Sequence, residues 1–257
     1  MSTLAPPSAP SPIDYPDSDG LPMAENTLQY QWITTIVTDL RHLFADNPAI
    51  FVAGDLFWYP VQGNGDLRMA PDAMVAFGRP KGDRGSYRQW EEGGVAPQVV
   101  FEVLSPGNRA GGMREKLDFY DQYGAEEYYI YDPDRVVLLG YLRKQGRLAA
   151  IEPMNGHVSP RLRIRFEMSE GGLTIFRPDG KPFITPEEHA EREEQQQQRA
   201  ERAEERAGRA EERAGRAEER AKQAQDLAKE QRDRADRLQQ ELDRLRRTSS
   251  PADPGNL

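Results

Sequence analysis

Apolar residues recur at intervals of three and four in the first part of the chain, between Met23 and about Asp46. This spacing places apolar side chains along one face of a helix. The residues concerned are Leu28, Trp32, Ile33, Ile36, Val37, Leu40, Leu43 and Phe44. Asn47-Pro48 should end the helix, because a residue that precedes proline is disfavoured in the α conformation. The first predicted element is therefore an amphipathic helix.

Short apolar segments rich in Val, Ile, Phe and Tyr follow this helix and predict β-strands. They are IFVAGDLFWY at 50–59, DAMVAF at 72–77, QVVFEVL at 98–104, EYYIYD at 127–132, VVLLGYLR at 136–143, LAAIEP at 148–153 and RLRIRFEM at 161–168. A second helix is predicted over 113–123, where Gly124 provides the usual C-terminal glycine. The order of helix, strands, helix and strands predicts the α/β or mixed α+β class, with a central mixed sheet flanked by helices.

The pattern changes at about residue 186, where Glu, Arg, Ala and Gln replace the apolar segments. RAEERAG occurs at 202–208 and again at 209–215, and RAEERAK follows at 216–222, so the repeat is seven residues long. Alanines and then leucines recur at alternating spacings of four and three between Ala203 and Leu245, as in a coiled-coil seam. We expect a weak homodimer through the 203–245 helix, because alanine buries little apolar surface. A single solvated helix is the alternative.

Composition sets the expected limits of the folded part. Residues 1–22 are crowded with Pro, Ser and Asp, and with 248–257 they predict a disordered leader and a disordered tail. We therefore expect one domain over 23–185 and a charged heptad-repeat helix over 186–247. No apolar run approaches the ~20 residues that a membrane-spanning helix needs, and the N-terminus lacks the features of a secretory signal. A soluble protein without membrane contact is expected.

Charge and cysteine content exclude several kinds of site. The net charge of −9 provides no overall basic field to attract nucleic acid, so any such contact must be local or assisted by a metal ion. The chain has no cysteine, which excludes disulfides, thiolate zinc sites and cysteine nucleophiles and suits a reducing cytoplasm. The glycine-rich basic segment GRPKGDRG at 78–85 lacks the order of a phosphate-binding loop. It is either a loop that touches a substrate backbone or a solvated loop.

Glu102 is the only charged residue within the apolar segment at 98–104. Burial of an ionised carboxylate costs several kcal/mol unless a partner compensates it. One compensating partner is a hard divalent cation such as Mg²⁺, which one or two carboxylates hold together with water and substrate phosphates. Asp72, at the start of another apolar segment, is a natural second ligand. The alternative is an ion pair of Glu102 with Arg109 or Lys116, with Asp72 only initiating its strand.

A series of short motifs spans the central part of the chain in a fixed order. They are Pro71-Asp72, Glu102-Val103-Leu104-Ser105-Pro106, Arg109, Lys116, Tyr120 and Gly124-Ala125-Glu126-Glu127-Tyr128-Tyr129-Ile130-Tyr131-Asp132-Pro133. In this order and spacing the chain resembles the Uma-two family of restriction endonucleases, a branch of the PD-(D/E)XK nuclease superfamily. The resemblance runs from about Met23 to Pro186 and implies a restriction-endonuclease-like fold.

The resemblance also implies roles for particular residues. Asp72 and Glu102 would carry Mg²⁺ or Mn²⁺, and a lysine would position or deprotonate the attacking water. The superfamily's strand lysine is missing, because Leu104 stands two residues after Glu102. Lys116, on the following helix, matches the position used by the members that this chain resembles. Glu25 and Tyr120 are possible auxiliary residues, although a first-turn glutamate also simply favours the helix dipole.

Two functions follow from these observations. The first is a Mg²⁺-dependent endonuclease that hydrolyses phosphodiester bonds in DNA, with Asp72, Glu102 and Lys116 as its catalytic residues and no organic cofactor. The second is a catalytically inactive scaffold or binding module that retains the nuclease fold and acts through its coiled-coil tail. If Asp72 and Glu102 lie side by side, removal of one negative charge should stabilise the metal-free protein.

Overall fold

The computed structural model describes residues 13–20, 22–107 and 112–248. Arg109 and most of the expected leader and tail lie outside these ranges. The chain divides into two compact units, one that ends at Ala190 and one that starts at Glu191, and each is described on its own. Within the described residues, no helix is both long enough and apolar enough to cross a membrane.

The first unit combines helices with short strands in the order that the sequence patterns indicate. Its elements are α1 (Thr27–Leu43), β1 (Ile50–Ala53), β2 (Trp58–Tyr59), β3 (Ala73–Phe77), β4 (Tyr87–Arg88), β5 (Val99–Val103), α2 (Met113–Tyr123), β6 (Glu127–Asp132), β7 (Val137–Lys144), β8 (Arg147–Ala150), β9 (Arg165–Ser169), β10 (Gly172–Phe176) and the start of α3 (Pro186–Thr248).

Six of the strands form one mixed sheet in the order β1-β3-β5-β6-β7-β8. β5 and β6 pair in parallel, whereas the other neighbours in this sheet pair antiparallel. A parallel pair needs a crossover connection, and α2 is the helix of the segment that links β5 to β6. β9 pairs with β10, and β2 pairs with β4, in two further two-stranded sheets. The predicted α/β class with a central mixed sheet is confirmed.

The central sheet has an apolar layer on each face. One layer contains side chains of α1, β9 and β10 together with Val99, Phe101 and Val103 of β5. The other contains side chains of α2 together with Val100 and the following Leu104. Successive residues of a strand point to opposite faces, so Glu102 lies on the same face as α2. This alternation decides which helix can reach the carboxylate.

Several element bounds differ from the expected ones. α1 ends at Leu43 rather than near Asp46, because Phe44 already leaves the helical conformation with φ −107° and ψ 22°. The segment at 50–59 splits into β1 and β2 around Gly54, where a Cβ would lie 2.8 Å from Val37 Cγ2. Residues 160–162 form a turn before β9. β4 and β10 had no clear alternation in the sequence and were not expected.

Part of the expected leader packs against the first unit. The ring of Tyr15 lies 5.2 Å from that of Tyr59 and 5.1 Å from that of Trp90. The Tyr15 hydroxyl accepts a hydrogen bond from the backbone N–H of Gly63, and the Tyr59 hydroxyl donates one to the carbonyl of Pro16. Composition predicted disorder for the whole leader, but in the part that the structure describes Tyr15, Pro16 and Asp17 contact the domain.

A buried carboxylate joins α1 to the end of the first unit. Asp39 is fully buried in α1 and accepts hydrogen bonds from Arg177 Nε at 2.8 Å and from the backbone N–H of Ile184 at 2.8 Å. His189 Nε2, in the first turns of α3, lies 3.2 Å from Asp39 Oδ2, and its ring stacks on that of His42. The start of α3 therefore belongs to the packing of the first unit.

The helix α3 has 63 residues and contains the heptad repeat. Its part from Glu191 onward belongs to the second unit. Glu205 pairs with Arg209 at 2.7 Å and Glu212 with Arg216 at 3.3 Å, four residues apart in each case. Such pairs stabilise an exposed helix by a few tenths of a kcal/mol each. The leucines of the unit are half exposed or more, and they are Leu227, Leu238, Leu242 and Leu245.

Candidate active site

The site is built around Glu102, the buried carboxylate in the middle of the sheet, which is only 2% exposed. Its Oε2 atom accepts a hydrogen bond from Lys116 Nζ at 2.5 Å. Its Oε1 atom accepts one from the Tyr120 hydroxyl at 2.6 Å. Both donors lie on α2, the helix that covers this face of the sheet. Each oxygen of Glu102 therefore has a charged or polar partner.

Asp72 reaches the same site from the beginning of the neighbouring strand. Its Oδ2 atom accepts a hydrogen bond from the backbone N–H of Val103 at 2.6 Å, and its carboxyl group lies close enough to that of Glu102 for the two charges to interact. β3 pairs with β5 such that Ala73 lies opposite Phe101. This register places the residue before Ala73 next to the residue after Phe101. The two carboxyl groups that the sequence suggested as neighbours are brought together.

Lys116 and Tyr120 reach Glu102 together because they are four residues apart on α2 and share one face of the helix. The helix follows Gly112 and ends at Gly124, which adopts the left-handed conformation with φ 103°. Phe119 and Tyr120 are its buried residues and pack under Trp58. The aromatic packing fixes the rotation of α2, and that rotation directs the Lys116 side chain towards the sheet.

Burial and the neighbouring charges change the acid–base properties of this site. Burial raises the pKa of Asp72 well above its usual range, and the negative charge of Glu102 raises it further, against the opposing effect of Lys116. Burial lowers the pKa of Lys116, but the charges of Glu102 and Asp72 outweigh burial and raise it overall. In the metal-free site Asp72 therefore holds a proton easily, whereas Lys116 stays positively charged.

These pKa shifts and contacts predict opposite changes in stability for Asp72→Asn and Glu102→Gln. A carboxyl whose pKa is raised by folding stabilises the folded state at low pH, and this stabilisation is lost as the pH rises through the folded-state pKa. Asp72→Asn should therefore raise the melting temperature of metal-free protein, with a larger gain at about pH 8 than at about pH 5. Glu102→Gln removes the partner of Lys116 and should destabilise the fold by about 1–3 kcal/mol, less than a fully buried pair because Lys116 is partly exposed.

Thermal unfolding in the presence of a chelator measures both effects. Asp118→Asn serves as the control, since this carboxylate lies on the exposed side of α2 and should change stability little at either pH. Equal shifts for the Asp72 and Glu102 variants would contradict the different environments described here. The sequence alone suggested that removal of either negative charge would stabilise the metal-free protein. Because Glu102 forms an ion pair with Lys116, we expect this stabilisation for the Asp72 variant only.

Comparisons with known proteins bear on this geometry. The model of the Uma2 family, described as "Putative restriction endonuclease", matches residues 21–182. The chain belongs to the Uma2 family. Members of this family are grouped as nucleases, and the matched range contains Asp72, Glu102, Lys116 and Tyr120 but ends before α3 begins. A comparison with curated proteins found no match.

A solved structure described as "a putative nuclease belonging to DUF820 from Anabaena variabilis ATCC 29413" is similar to this Uma2 protein. The TM-score is 0.40 and the sequence identity 14%, over 52% of this chain and 72% of that chain. A likeness of this degree carries no argument about residues or reaction. The membership of the Uma2 family rests on the sequence match.

Glu25 does not join Asp72, Lys116 and Tyr120 around Glu102 but lies at the nearby loop that leaves β5. Its carboxylate accepts a hydrogen bond from the Ser105 hydroxyl and occupies the space above Gly107. Asn26, the N-cap of α1, accepts a hydrogen bond from the Gln29 backbone N–H. The auxiliary residue expected from the resemblance is thus held against the segment that follows the site strand.

Gln29 is a site residue that the sequence interpretation of this Uma2 member missed. It is buried in α1, and its amide donates a hydrogen bond to the carbonyl of Val103 at 2.8 Å, next to Glu102. Its Oε1 atom accepts one from the backbone N–H of Glu25 at 2.9 Å. A signal was present, because Gln29 lies four residues before Ile33 on the inward face of the helix. A polar residue on that face needs a buried partner.

Tyr128 of β6 adds a hydroxyl to the surroundings of Glu102. Its ring lies 4.9 Å from that of Tyr120, and the charge of Glu102 adds to burial in raising the pKa of the Tyr128 hydroxyl. Among the described residues this buried hydroxyl has no hydrogen-bond partner. A buried polar group without a partner usually marks a place where water or a ligand completes the site.

The basic segment at 78–85 lies away from these residues, near the C-terminal end of α1. Lys81 donates hydrogen bonds to the carbonyls of Phe44 at 2.8 Å and Ala45 at 2.5 Å. Arg84 pairs with Glu92 at 2.5 Å, and its guanidinium lies 4.0 Å from the centre of the Phe51 ring. These two cations anchor the segment to the domain.

Proposed function

We propose that this Uma2 protein is a divalent-metal-dependent endonuclease that hydrolyses phosphodiester bonds in DNA. The domain over 23–185 would carry the activity, in the cytoplasm. The observation that supports the proposal most is the convergence of Asp72, Glu102 and Lys116, which come from two strands and one helix. Membership of a nuclease family explains why two carboxyl groups and a lysine should be held together in a buried place.

Asp72 and Glu102 are the residues that would hold Mg²⁺ or Mn²⁺. Their carboxyl groups are adjacent and offer oxygen atoms, the ligands that such ions prefer. Within the described residues no three His, Cys, Asp or Glu side chains gather at one place, and Mg²⁺ commonly binds through only one or two carboxylates. The donor set therefore fits. A bound divalent ion polarises a phosphoryl oxygen and lowers the pKa of its water.

The remaining residues have separable tasks in hydrolysis, in which a water oxygen bonds to phosphorus and the P–O bond to the leaving oxygen breaks. Lys116, positively charged at neutral pH, would orient the water and offset the negative charge that grows on the phosphoryl oxygens. Because its pKa is raised, we assign it this electrostatic task rather than that of a base. Tyr120 holds Glu102 in position through its hydroxyl.

Incubation of the purified full-length protein with plasmid DNA tests the proposal directly. We expect cleavage in Mg²⁺ or Mn²⁺ and none in excess chelator, and an RNA of matched length in parallel shows which nucleic acid is preferred. If neither substrate is cut and neither ion changes the melting temperature, the endonuclease proposal fails. A metal ion that binds the native protein must raise its melting temperature.

A catalytically inactive scaffold is the second candidate, and one observation favours it. Both oxygens of Glu102 are already satisfied by Lys116 and Tyr120, so the fold can tolerate this carboxylate without a metal ion. The predicted ion pair with Lys116 is present, while Arg109, its other suggested partner, lies outside the described residues. In a scaffold, the same contacts would be purely structural and metal ions would leave stability unchanged.

We also propose that the protein forms a weak homodimer through residues 203–245. The seam residues alternate with spacings of four and three along α3, and its leucines are 50–59% exposed in the single chain. Full burial of a leucine side chain is worth about 1.5–3 kcal/mol, whereas each alanine contributes much less. Most of the affinity should therefore come from Leu238, Leu242 and Leu245.

Substitution of one seam leucine tests this assignment. Leu242→Ser should weaken the dimer by about 10-fold or more, since a polar group would replace apolar surface at the interface. Leu227→Ser is the comparison variant, because Leu227 is at least as exposed as Leu242 but lies beside the seam rather than in it, and it should weaken the dimer less. Sedimentation at tens of micromolar measures the change. A wild-type monomer, or equal effects of both substitutions, would contradict the proposed interface.

A further inference from the structure

The charges beside the seam of α3 specify how two copies pair. We infer that the helices associate in parallel and in register, so that the same residues of both chains face each other. This inference rests on the proposed homodimer and adds its geometry. It is independent of the nuclease activity, and the family match, which ends at residue 182, does not include this helix.

The heptad positions follow from the seam. A spacing of four leads from position d to position a, and a spacing of three from a to d, so Ala203 occupies d and Ala207 occupies a. The flanking positions are g, just before each a, and e, just after each d. In the alanine half the g positions hold arginine four times and then leucine, whereas the e positions hold glutamate three times and then glutamine; they are Arg199, Arg206, Arg213, Arg220 and Leu227 at g, with Glu204, Glu211, Glu218 and Gln225 at e.

These flanking charges are available for a partner. The ion pairs formed within α3, Glu205 with Arg209 and Glu212 with Arg216, use positions f and c on the side away from the seam. In the described stretch of the helix, no ion pair involves the arginines at g or the glutamates at e, and their side chains are exposed. The described ion pairs within the helix thus lie on its outer face, and the charged side chains beside the seam remain available to a second chain.

A parallel pair uses the flanking charges favourably. In parallel coiled coils a g residue faces the e residue of the following heptad in the other helix. Arg206 would face Glu211 of the second copy, and Arg213 would face Glu218, with each contact made twice by symmetry. Arg199 and Glu204 repeat the pattern at the start of the seam. No flanking pair of the alanine half brings like charges together in this arrangement.

An antiparallel pair opposes g with g and e with e. If the two helices overlap along the whole seam, Arg213 faces Arg234, a repulsive pair, and only two of the other flanking contacts join opposite charges. Each leucine of the C-terminal half then faces an alanine of the other chain. In the parallel pair each of Leu238, Leu242 and Leu245 instead packs against the same leucine of the other chain. Each of these layers then buries more apolar surface.

The absence of natural cysteine allows a clean test by disulfide formation. Ala210→Cys and Gln231→Cys each place one thiol at a d position, where the two Cα atoms of a parallel pair lie within disulfide range. Each variant, in the full-length protein, should cross-link to itself under mild oxidation about 100-fold faster than a free thiol at the same concentration, because the dimer raises the effective concentration. Glu212→Cys, at outward position f, is the control and should cross-link slowly.

The outcomes separate the orientation from the dimer itself. If the protein sediments as a dimer but neither d-position variant cross-links to itself, and a mixture of Ala210→Cys with Ala235→Cys does cross-link, the helices are antiparallel and the inference is overturned. If the protein is a monomer, the proposed dimer fails together with its orientation. Plasmid cleavage by the same variants reports separately on the nuclease proposal.

Discussion

Substitution of asparagine for Asp72 is expected to abolish metal-dependent DNA cleavage. The asparagine side-chain oxygen can still accept the hydrogen bond from the Val103 backbone N–H, so the fold should persist, but it supplies a neutral oxygen in place of a carboxylate. Lys116→Ala should slow cleavage by about 10²–10⁴-fold, the range for a group that assists proton transfer or charge development. It should leave the stabilisation by Mg²⁺ largely intact, since Lys116 is not a proposed ligand.

The rate of plasmid nicking and the melting temperature with and without Mg²⁺ distinguish these roles. Asp118→Asn is the control on α2, because its carboxylate is exposed and faces away from the site. Tyr120→Phe should cost only about 10-fold, the worth of one hydrogen bond to a charged group. Cleavage by Asp72→Asn at the rate of the wild type would show that the convergence of Asp72, Glu102 and Lys116 is structural.

The largest effect on stability is expected from Asp39, far along the chain from the proposed catalytic residues. Asp39→Ala leaves Arg177 without the carboxylate that it contacts and also removes the acceptor for the Ile184 backbone N–H. Removal of one partner of a buried ion pair typically destabilises a protein by about 3–5 kcal/mol. Chemical unfolding of the variant beside the wild type measures this loss.

A matched control separates this effect from that of any lost surface charge. Asp118→Ala removes an aspartate of comparable size that pairs with Arg114 across 4.0 Å at the surface, and it should change stability by about 0.5 kcal/mol or less. Asp39→Asn keeps the size of the side chain and should recover part of the loss. Similar stabilities for Asp39→Ala and Asp118→Ala would show that the buried contact contributes little.

Elements with strong local signals were predicted closely. α2 begins at Met113 and ends at Tyr123 as expected, because Gly124 can adopt the left-handed conformation that closes a helix. β6 coincides with the aromatic segment at 127–132. The strands β2 and β4 have only two residues each, and such short pairs depend on neighbouring chain rather than on their own pattern.

The residues of the candidate site also differ in how strongly the local sequence indicated them. Glu102 stood out because a charge within an apolar strand needs a partner, and Lys116 and Tyr120 followed from their spacing on a helix. Gln29 contacts a carbonyl 74 residues away, and Ser105 reaches Glu25 across 80 residues, distances over which local patterns carry no information. The raised pKa of Asp72 depends first on its burial in the folded state, so it could not be predicted from the sequence.

The contacts of Asp39 have a consequence for how the chain can be divided. His189 lies three residues inside α3, yet it packs with α1 through Asp39 and His42. The start of a helix and the edge of a folding unit therefore differ by about one turn. A tail exchanged for another helix, by recombination or by design, should be joined after Ala190 rather than before Pro186. The heptad segment is then a replaceable module, while the first turn remains with the part that precedes it.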